Sequence, residues 1–367
     1  MVDRFALFVP RAQIHGASVA SVTDGAEIRF VRFAGRRVAY AVSGTGPLLV
    51  APAWWVSHVE LDWADPSFRG LWQSLGRGRT VVRYDRLGVG MSDRELRDGD
   101  LTLDSDVALL GAVLDELAGE RVVLFGGSSG GCAAIAFAAR FPERVSHLVL
   151  YGAYADGSSI ASPEVRDAIV ATVRSHWGLG SRLLADIFLG AAPGGDQERL
   201  ARHQRASADP EAAAALLELT YRNDVRPELE HVRAPTFVIH RRGDRAIPYR
   251  LGRELAASIP RAALVPLDGT AHFPWVGDAR SVADAVQSAL APAPPEATGG
   301  EPTGVLLSGR ERLVLALVAQ GLSDQEIADQ LVVSYHTVHR HVANIRHKLG
   351  RSSRTAVVAE AARKGLL

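Results

Sequence analysis

The sequence predicts an α/β fold, a mostly parallel sheet interrupted by a helical insertion, followed by a small all-α unit. Three observations predict it. Short apolar runs alternate with helical segments through the first 290 residues. Residues 156–233 inside that stretch lack strand signals. A Pro/Gly-rich segment then precedes a basic, helix-patterned tail.

The 367 residues suit two domains or three, at ~150 residues each. With 47 % apolar and 22 % charged residues, a disordered chain, a collagen-like fibre and a polar low-complexity protein are excluded. No apolar run approaches the ~18 to 20 residues of a membrane span, so no membrane partner is expected. The start carries acidic Asp3 and no sustained apolar core, which reads as no signal peptide and places the protein in the cytoplasm. One cysteine, Cys132, excludes an internal disulfide and any multi-thiolate metal site. No metal and no cofactor are expected.

Strand signals fall at 37–43, 48–51, 80–84, 121–125, 145–150, 236–240 and 263–267. Most are near-continuous apolar runs, as in strands buried on both faces. Helical segments at 103–117 and 132–140 lie between them. In the insertion, Ser162-Pro163-Glu164 and Asp209-Pro210-Glu211 read as helix starts, with a cap residue, proline at the first position and an acid in the first turn. About 156–233 is therefore a helical cap over a pocket. Residues 291–304 hold four prolines and three glycines and cannot pack a core, so they form a linker, semi-extended then flexible. The domains read as 1–290, this linker, and 305–367.

Gly126-x-Ser128-x-Gly130 sits between a strand and a helix. A serine at such a sharp turn exposes its hydroxyl, small neighbours avoid clashes, and the next amide points at the helix N-terminal anion site. Asp244 follows the next-to-last strand and His272 the last. In that order His272 serves as general base toward Ser128, held in one tautomer by Asp244. Asp156 is the alternative acid. His240 lies within a strand and reads as structural.

On these residues the chain resembles the α/β-hydrolase superfamily over about 25–290. The stretches Tyr84-Asp-Arg-Leu-Gly-Val-Gly-Met-Ser-Asp93 and Phe141-Pro-Glu-Arg-Val145 also match. The family's His-Gly after the third strand is replaced by Ala51-Pro-Ala-Trp-Trp-Val-Ser-His-Val-Glu60. The resemblance implies an oxyanion hole with one amide from this loop and one from Ser129. The first falls to Trp54, with Trp55 the alternative. Trp54, Trp55, Trp177, Phe188, Tyr221 and Trp275 are the candidate lining of an apolar ligand pocket.

The tail is basic: residues 306–367 carry a net +4 against −4 for the rest, and 334–354 hold no acid. Ser308-Gly-Arg-Glu311 and Ser323-Asp-Gln-Glu326 read as capping boxes, and Gly321 as a helix stop. A short helix over 324–331, a turn at Val332 and Val333, and a longer helix capped by Ser334 make a helix-turn-helix pattern. Val338, Val342, Ile345 and Leu349 form its buried stripe. His336, His339, Arg340, Ala343 and His347 share the other face, beside Arg346, Lys348, Arg351 and Arg354, an acid-free surface suited to phosphate.

The runs Leu307-Ser-Gly-Arg-Glu-Arg312, Ala319-Gln-Gly-Leu-Ser-Asp-Gln-Glu-Ile-Ala328 and Val333-Ser-Tyr-His-Thr-Val-His-Arg-His-Val-Ala-Asn-Ile-Arg-His-Lys-Leu349 resemble a LuxR-type DNA-binding domain. The resemblance implies that His339, Arg340 and Ala343 reach base edges. It implies that Ser334, Thr337, Lys348 and Arg354 meet the backbone of double-stranded DNA. Homodimerisation is expected from the family alone, since no heptad seam shows it. The combined expectation is a DNA-binding transcriptional regulator whose hydrolase-fold domain binds, and hydrolyses or only senses, a small ester- or lactone-like ligand. The alternative is a serine esterase or lactonase with an appended DNA-binding domain.

Overall fold

The computed structural model describes residues 21–23, 25–119, 121–190, 194–291, 307, 309–331, 335–351 and 353–367. The chain divides into two compact units, Met1–Ala291 and Pro292–Leu367. The expected linker after Ala291, the cap residues Ser308 and Ser334, and the turn at Val332 and Val333 lie outside the described residues, as does the His336 side chain.

In the large unit nine strands among the described residues form one sheet. They are β1 (Ser21–Thr23), β2 (Ala26–Phe33), β3 (Arg36–Gly44), β4 (Leu48–Ala51), β5 (Thr80–Tyr84), β6 (Val122–Gly127), β7 (Val145–Tyr151), β8 (Thr236–Arg241) and β9 (Ala263–Leu267). Their order is β1-β2-β3-β5-β4-β6-β7-β8-β9. Pairing is antiparallel from β1 to β5 and parallel from there to β9. The sequence reading missed β1 and β2. Ala-Glu-Ile-Arg-Phe-Val-Arg-Phe alternates, as a strand open on one face does, and so lacks the near-continuous apolar run that marks a strand covered on both faces.

The near-continuous apolar runs of the other strands are explained by the helices on both faces. The flanking helices are α1 (Val59–Ala64), α2 (Pro66–Leu75), α3 (Leu103–Glu116) and α4 (Gly130–Arg140). Leu49, Phe125 and Val149 bury one face against Leu71 and Trp72 of α2, while Val50, Leu124 and Leu148 bury the other against Leu110 of α3 and Phe137 of α4. Asp65 caps α2 by accepting from the Ser67 amide, with Pro66 next to it.

The insertion between β7 and β8 is helical as expected: α5 (Pro163–Ser175), α6 (Trp177–Leu189), α7 (Gly194–Ser207) and α8 (Pro210–Arg222). Asp209 caps α8 by accepting from the Ala212 amide at 2.8 Å. Ser162 precedes α5 but makes no side-chain cap bond. Cap residues Val173, Leu184, Leu216 and Leu217 pack around Trp55 and Val89 from the base. Trp55 also donates through Nε1 to the Ala213 carbonyl at 3.0 Å. Helices α9 (Tyr249–Ser258) and α10 (Ala279–Leu290) complete the unit.

The small unit contains α11 (Gly309–Ala319), α12 (Asp324–Leu331), α13 (Tyr335–Lys348) and α14 (Arg354–Arg363). Gly321 takes φ of 86°, which stops α11 in the left-handed conformation a glycine C-cap adopts. Ser323 and Glu326 form the reciprocal capping box: the Ser323 amide donates to Glu326 at 2.7 Å and the Glu326 amide to Ser323 Oγ at 3.3 Å. Glu311, expected in the other box, accepts from Lys348 Nζ at 2.7 Å. Val338, Val342, Ile345 and Leu349 are buried with Val314, Leu315 and Ile327.

Candidate functional site

Strand β6 ends at Gly127 and α4 begins at Gly130, so Ser128 sits in the turn between them. Its φ is 49°, a left-handed backbone that residues with a Cβ rarely adopt. The Ser128 amide donates to the Tyr151 carbonyl at 2.9 Å, and the Gly131 amide returns to the Ser128 carbonyl at 3.0 Å. The neighbours are small because space demands it. A Cβ on Gly126 meets Ala134 at 2.8 Å, one on Gly130 meets the Pro52 carbonyl at 2.8 Å, and one on Gly127 overlaps the Trp54 ring. Gly127→Ala is therefore expected to displace Trp54 and to destabilise the large unit by about 1–3 kcal/mol. Urea unfolding followed by tryptophan fluorescence reads this directly, because all six tryptophans lie between positions 54 and 275.

The loops after β8 and β9 bring two distant residues to Ser128. His272 Nε2 lies 2.9 Å from Ser128 Oγ, and His272 Nδ1 lies 2.8 Å from Asp244 Oδ2. The other Asp244 oxygen accepts from the Ala246 and Ile247 amides at 2.9 and 3.1 Å. All three residues are buried. Burial alone would raise the Asp244 carboxyl. The charge and hydrogen bond of His272, with His240 and the Ile247 amide, reverse this and hold it below the usual range. An ionised Asp244 keeps the proton on His272 Nδ1 and leaves Nε2 to accept from the serine hydroxyl.

A carboxyl lowered on folding stabilises the fold above its unfolded value, near pH ~4. That contribution disappears as pH falls through the folded value. Asp244→Asn is expected to flatten the acid limb of the stability curve, measured by urea unfolding between about pH 2 and 5.

Asp156, the alternative acid, instead accepts from the Ser158 amide at 2.9 Å and Ser159 Oγ at 3.1 Å. His240 is buried, with Nε2 2.9 Å from the Ile247 carbonyl and 3.7 Å from Asp244 Oδ2. It braces the acid's loop, which gives the structural role expected of it a definite place.

The loop after β4 is held by the 84–93 turn. Arg86 donates from Nε and Nη2 to Asp106, both at 2.9 Å, and from Nη1 to the Trp54 carbonyl at 2.8 Å. Asp85 accepts from Ser57 Oγ at 2.7 Å and from the Val59 and Met91 amides at 3.1 and 2.9 Å. Burial, then Asp62, push Asp85 up to about 6 against these three hydrogen bonds. The part that Arg86, Asp85 and Asp106 play in holding the loop was not foreseen from the sequence. The Asp-x-x-Gly-x-Gly spacing was the available signal. Ser129 stands at the α4 N-terminus, where its amide faces an anion-favouring helix end.

A cavity of about 550 Å³ lies under the cap, walled in part by Trp54, Trp55, Phe188 and Trp275. Trp177 and Tyr221, expected on that wall, are not there. Trp177 packs edge-on to Trp55 and donates to the Ala208 carbonyl, and Tyr221 packs within the cap beneath Arg166. Phe68 and Phe273, not foreseen, line the cavity. Ser128 and His272 are not part of the wall. The imidazole lies beside it, 6.3 Å from the Trp54 ring and 5.7 Å from Phe188 between centroids.

On α13 of the small unit, His339 and Ala343 are exposed, and Arg340 and Thr337 are partly so. Three residues expected at DNA already hold intramolecular partners. His339 Nδ1 lies 3.0 Å from Asp324, Arg354 pairs with Asp324, and Lys348 with Glu311. These pairs fix the ends of α12 and α13 against α14 and α11.

A strained serine relayed through histidine to a carboxylate, at the carboxyl edge of this sheet, defines an α/β domain of the hydrolase type. The four short helices define a helix-turn-helix unit. The chain belongs to the alpha/beta hydrolase fold family, which residues 62–277 match, and residues 305–361 match the luxR family of bacterial regulatory proteins. It is 30 % identical over 249 residues to a 2-hydroxy-6-oxo-2,4-heptadienoate hydrolase of Pseudomonas putida, covering 64 % of this chain and 81 % of that protein. It is 32 % identical over 229 residues to a 2-hydroxymuconate semialdehyde hydrolase of Pseudomonas putida, covering 59 % and 78 %. Among solved structures, the enol-lactonase from Burkholderia xenovorans LB400 superposes with a TM-score of 0.59 at 27 % identity, covering 71 % of this chain and 99 % of that one. No helix among the described residues is long and apolar enough to cross a membrane.

Proposed function

We propose that this protein is a transcriptional regulator whose hydrolase-fold domain, about residues 1–290, binds and hydrolyses a small ester- or lactone-like ligand to control DNA binding by residues 305–367. The observation that carries the reading is the presence in one chain of the Ser128–His272–Asp244 relay and a luxR-type unit. In the proposed chemistry Ser128 Oγ attacks the ligand carbonyl while its proton passes to His272 Nε2. The carbonyl electrons move to oxygen, where the Trp54 and Ser129 amides receive the charge. His272 then returns the proton to the departing alkoxide, and water releases the acyl group by the same steps. The naming of the relatives as hydrolases and of one structural neighbour as an enol-lactonase supports this choice of chemistry.

In the DNA unit, α13 enters the major groove, with His339 and Arg340 at base edges and Ala343 against a thymine methyl. Ser334, His336, Thr337, Lys348 and Arg354 contact or flank the backbone. Two chains bind half-sites about one helical turn apart. Arg340→Ala is expected to narrow the gap between specific and random DNA by about 1–3 kcal/mol. Arg354→Ala is expected to weaken all sequences alike and flatten the salt slope by about one unit. Fluorescence anisotropy on operator and random duplexes at several salt concentrations separates the two; equal effects of both substitutions remove the base-reading assignment.

Ligand control is tested by linkage. A non-hydrolysable ligand analogue should change operator affinity, and operator should change analogue affinity by the same factor, typically about 5- to 150-fold. Unchanged operator affinity at saturating analogue defeats the sensor reading. The chain is then a serine esterase or lactonase with an appended DNA-binding domain, which the assembled relay favours as the second reading.

A further inference from the structure

Arg83 stands on β5 with its guanidinium inside the large unit, the residue being 5 % exposed. The cation rests on the Trp63 and Phe68 rings, 4.9 and 4.8 Å from their centroids. No hydrogen bond or ion pair reaches the Arg83 side chain among the described residues, and its Nη2 is buried without a partner. A buried cation without an acceptor is costly, and structures retain one where an acceptor arrives. Burial pulls Arg83 down to about 10, so it stays charged at neutral pH.

Arg83 is on the wall of the 550 Å³ cavity, together with Asp62, Asp65, Asp85, Asp196, Arg199 and His203. Each of the others is committed. Asp62 pairs with His203 Nε2 at 2.8 Å and accepts from the His58 amide. Asp85 holds its three donors, Asp65 caps α2, and Arg199 lies between Asp65 and Asp196. Asp62 and Asp85 act on Arg83 only through space. On the cap side of the same cavity, Gln204 of α7 is 3 % exposed, and both its Oε1 and Nε2 are unpartnered. Arg83 from the sheet and Gln204 from the cap, with the Trp72 indole N–H, are thus polar groups of this wall buried without partners among the described residues, and Trp54, Phe68 and Trp275 supply aromatic surface beside them.

We propose that this cavity is a binding site for a small organic acid, its carboxylate taken by Arg83 and Gln204 and its apolar body by Trp54, Phe68 and Trp275. Guanidinium and amide N–H groups both donate, and a carboxylate accepts from each. The volume suits a ring-sized acid. Because Ser128 is not on the wall, occupancy does not require turnover. A ligand held by both Arg83 and Gln204 ties α7 to β5 and so favours one position of the cap, the kind of state-dependent contact through which a ligand shifts an equilibrium. This proposal rests on the regulatory reading for its use, not for its chemistry.

The test is direct titration of the full-length protein with benzoate, phenylacetate and 2-naphthoate, each beside its neutral amide, read by calorimetry and by quenching of the wall tryptophans. At least one acid is expected to bind tenfold or more tightly than its amide. Arg83→Gln should abolish that preference, Arg83→Lys should keep part of it, and Gln204→Leu, a change confined to the cap, should weaken the acid severalfold. Ser128→Ala should leave acid binding unchanged. Equal binding of acid and amide, no binding of any acid at millimolar concentration, a preference that survives Arg83→Gln, or binding lost in Ser128→Ala each overturns the proposal. Acid binding that leaves operator affinity unaltered upholds the site and defeats the regulatory reading instead.

Discussion

Ser128→Ala is expected to abolish labelling by a fluorophosphonate probe and to lower hydrolysis of an aryl ester by roughly 10⁴- to 10⁶-fold. In the proposed chemistry the Ser128 hydroxyl is the group that bonds to the substrate carbon, while His272 and Asp244 serve its proton transfer. Cys132, four residues on, is fully buried, and burial pushes its thiol up to about 12, which leaves it inert near neutral pH. What survives is the acceleration due to binding and oxyanion stabilisation, about 10³–10⁴ over water. Asp244→Asn should lower the rate about 10⁴-fold, by letting the imidazole adopt the wrong tautomer. Stopped assays of the two variants against p-nitrophenyl butyrate, with intact near-UV circular dichroism, give the measurement. Wild-type protein that takes no label and cleaves no ester removes the hydrolytic half of the proposal and leaves a binding shell.

Asp106→Ala is expected to destabilise the large unit by about 3–5 kcal/mol, the penalty for stranding a buried cation. Arg86 and Asp106 are 3 % and 5 % exposed and joined by two hydrogen bonds. Without the carboxylate, Arg86 keeps a single bond, to the Trp54 carbonyl. The loop carrying the proposed oxyanion amide then loses its anchor, so ester hydrolysis should fall with stability. Asp106→Asn, which preserves shape and one acceptor, should cost less in both. Urea unfolding by tryptophan fluorescence gives the stability, and kcat/KM below the transition gives the rate. A loss below about 1 kcal/mol, the scale of an exposed pair, would show that the pair is solvated in solution.

Much of this architecture was legible because its signals are local. The near-continuous apolar runs at 48–51, 80–84 and 145–150 mark strands covered on both faces, and strands lie at those positions. Pro163 and Pro210 start cap helices because proline fits only where no helix N–H is needed. Glycines at 126 and 130 announced the turn, since backbone and side chains approach too closely there for a Cβ. In the small unit, the spacing of Val338, Val342, Ile345 and Leu349 identified the buried face of α13 before any packing partner was known.

Other features depended on residues far apart in the chain. The sequence ordered Ser128, Asp244 and His272, but only the fold sets the last 144 residues from the first at 2.9 Å. Asp156 and Asp244 both follow strands; Asp156 turns its carboxylate to its own 158–159 turn, while Asp244 reaches the imidazole. Six aromatic residues looked alike as pocket lining, yet Trp177 and Tyr221 pack within the cap, because helix packing and not residue type decides which ring meets a cavity. Lys348 and Arg354 lie in an acid-free stretch that reads as suited to phosphate, and their partners Glu311 and Asp324 come from the preceding helices. That the Arg83 side chain meets no hydrogen-bond or ion-pair partner among the described residues is likewise a tertiary fact. Composition and periodicity report what a segment buries or exposes, so the sequence by itself determined the two units, the strands of the sheet interior and the chemical types at the turn. Only the tertiary structure decided which charges meet partners and which rings wall the cavity, because those depend on contacts between segments whose separation no local pattern encodes.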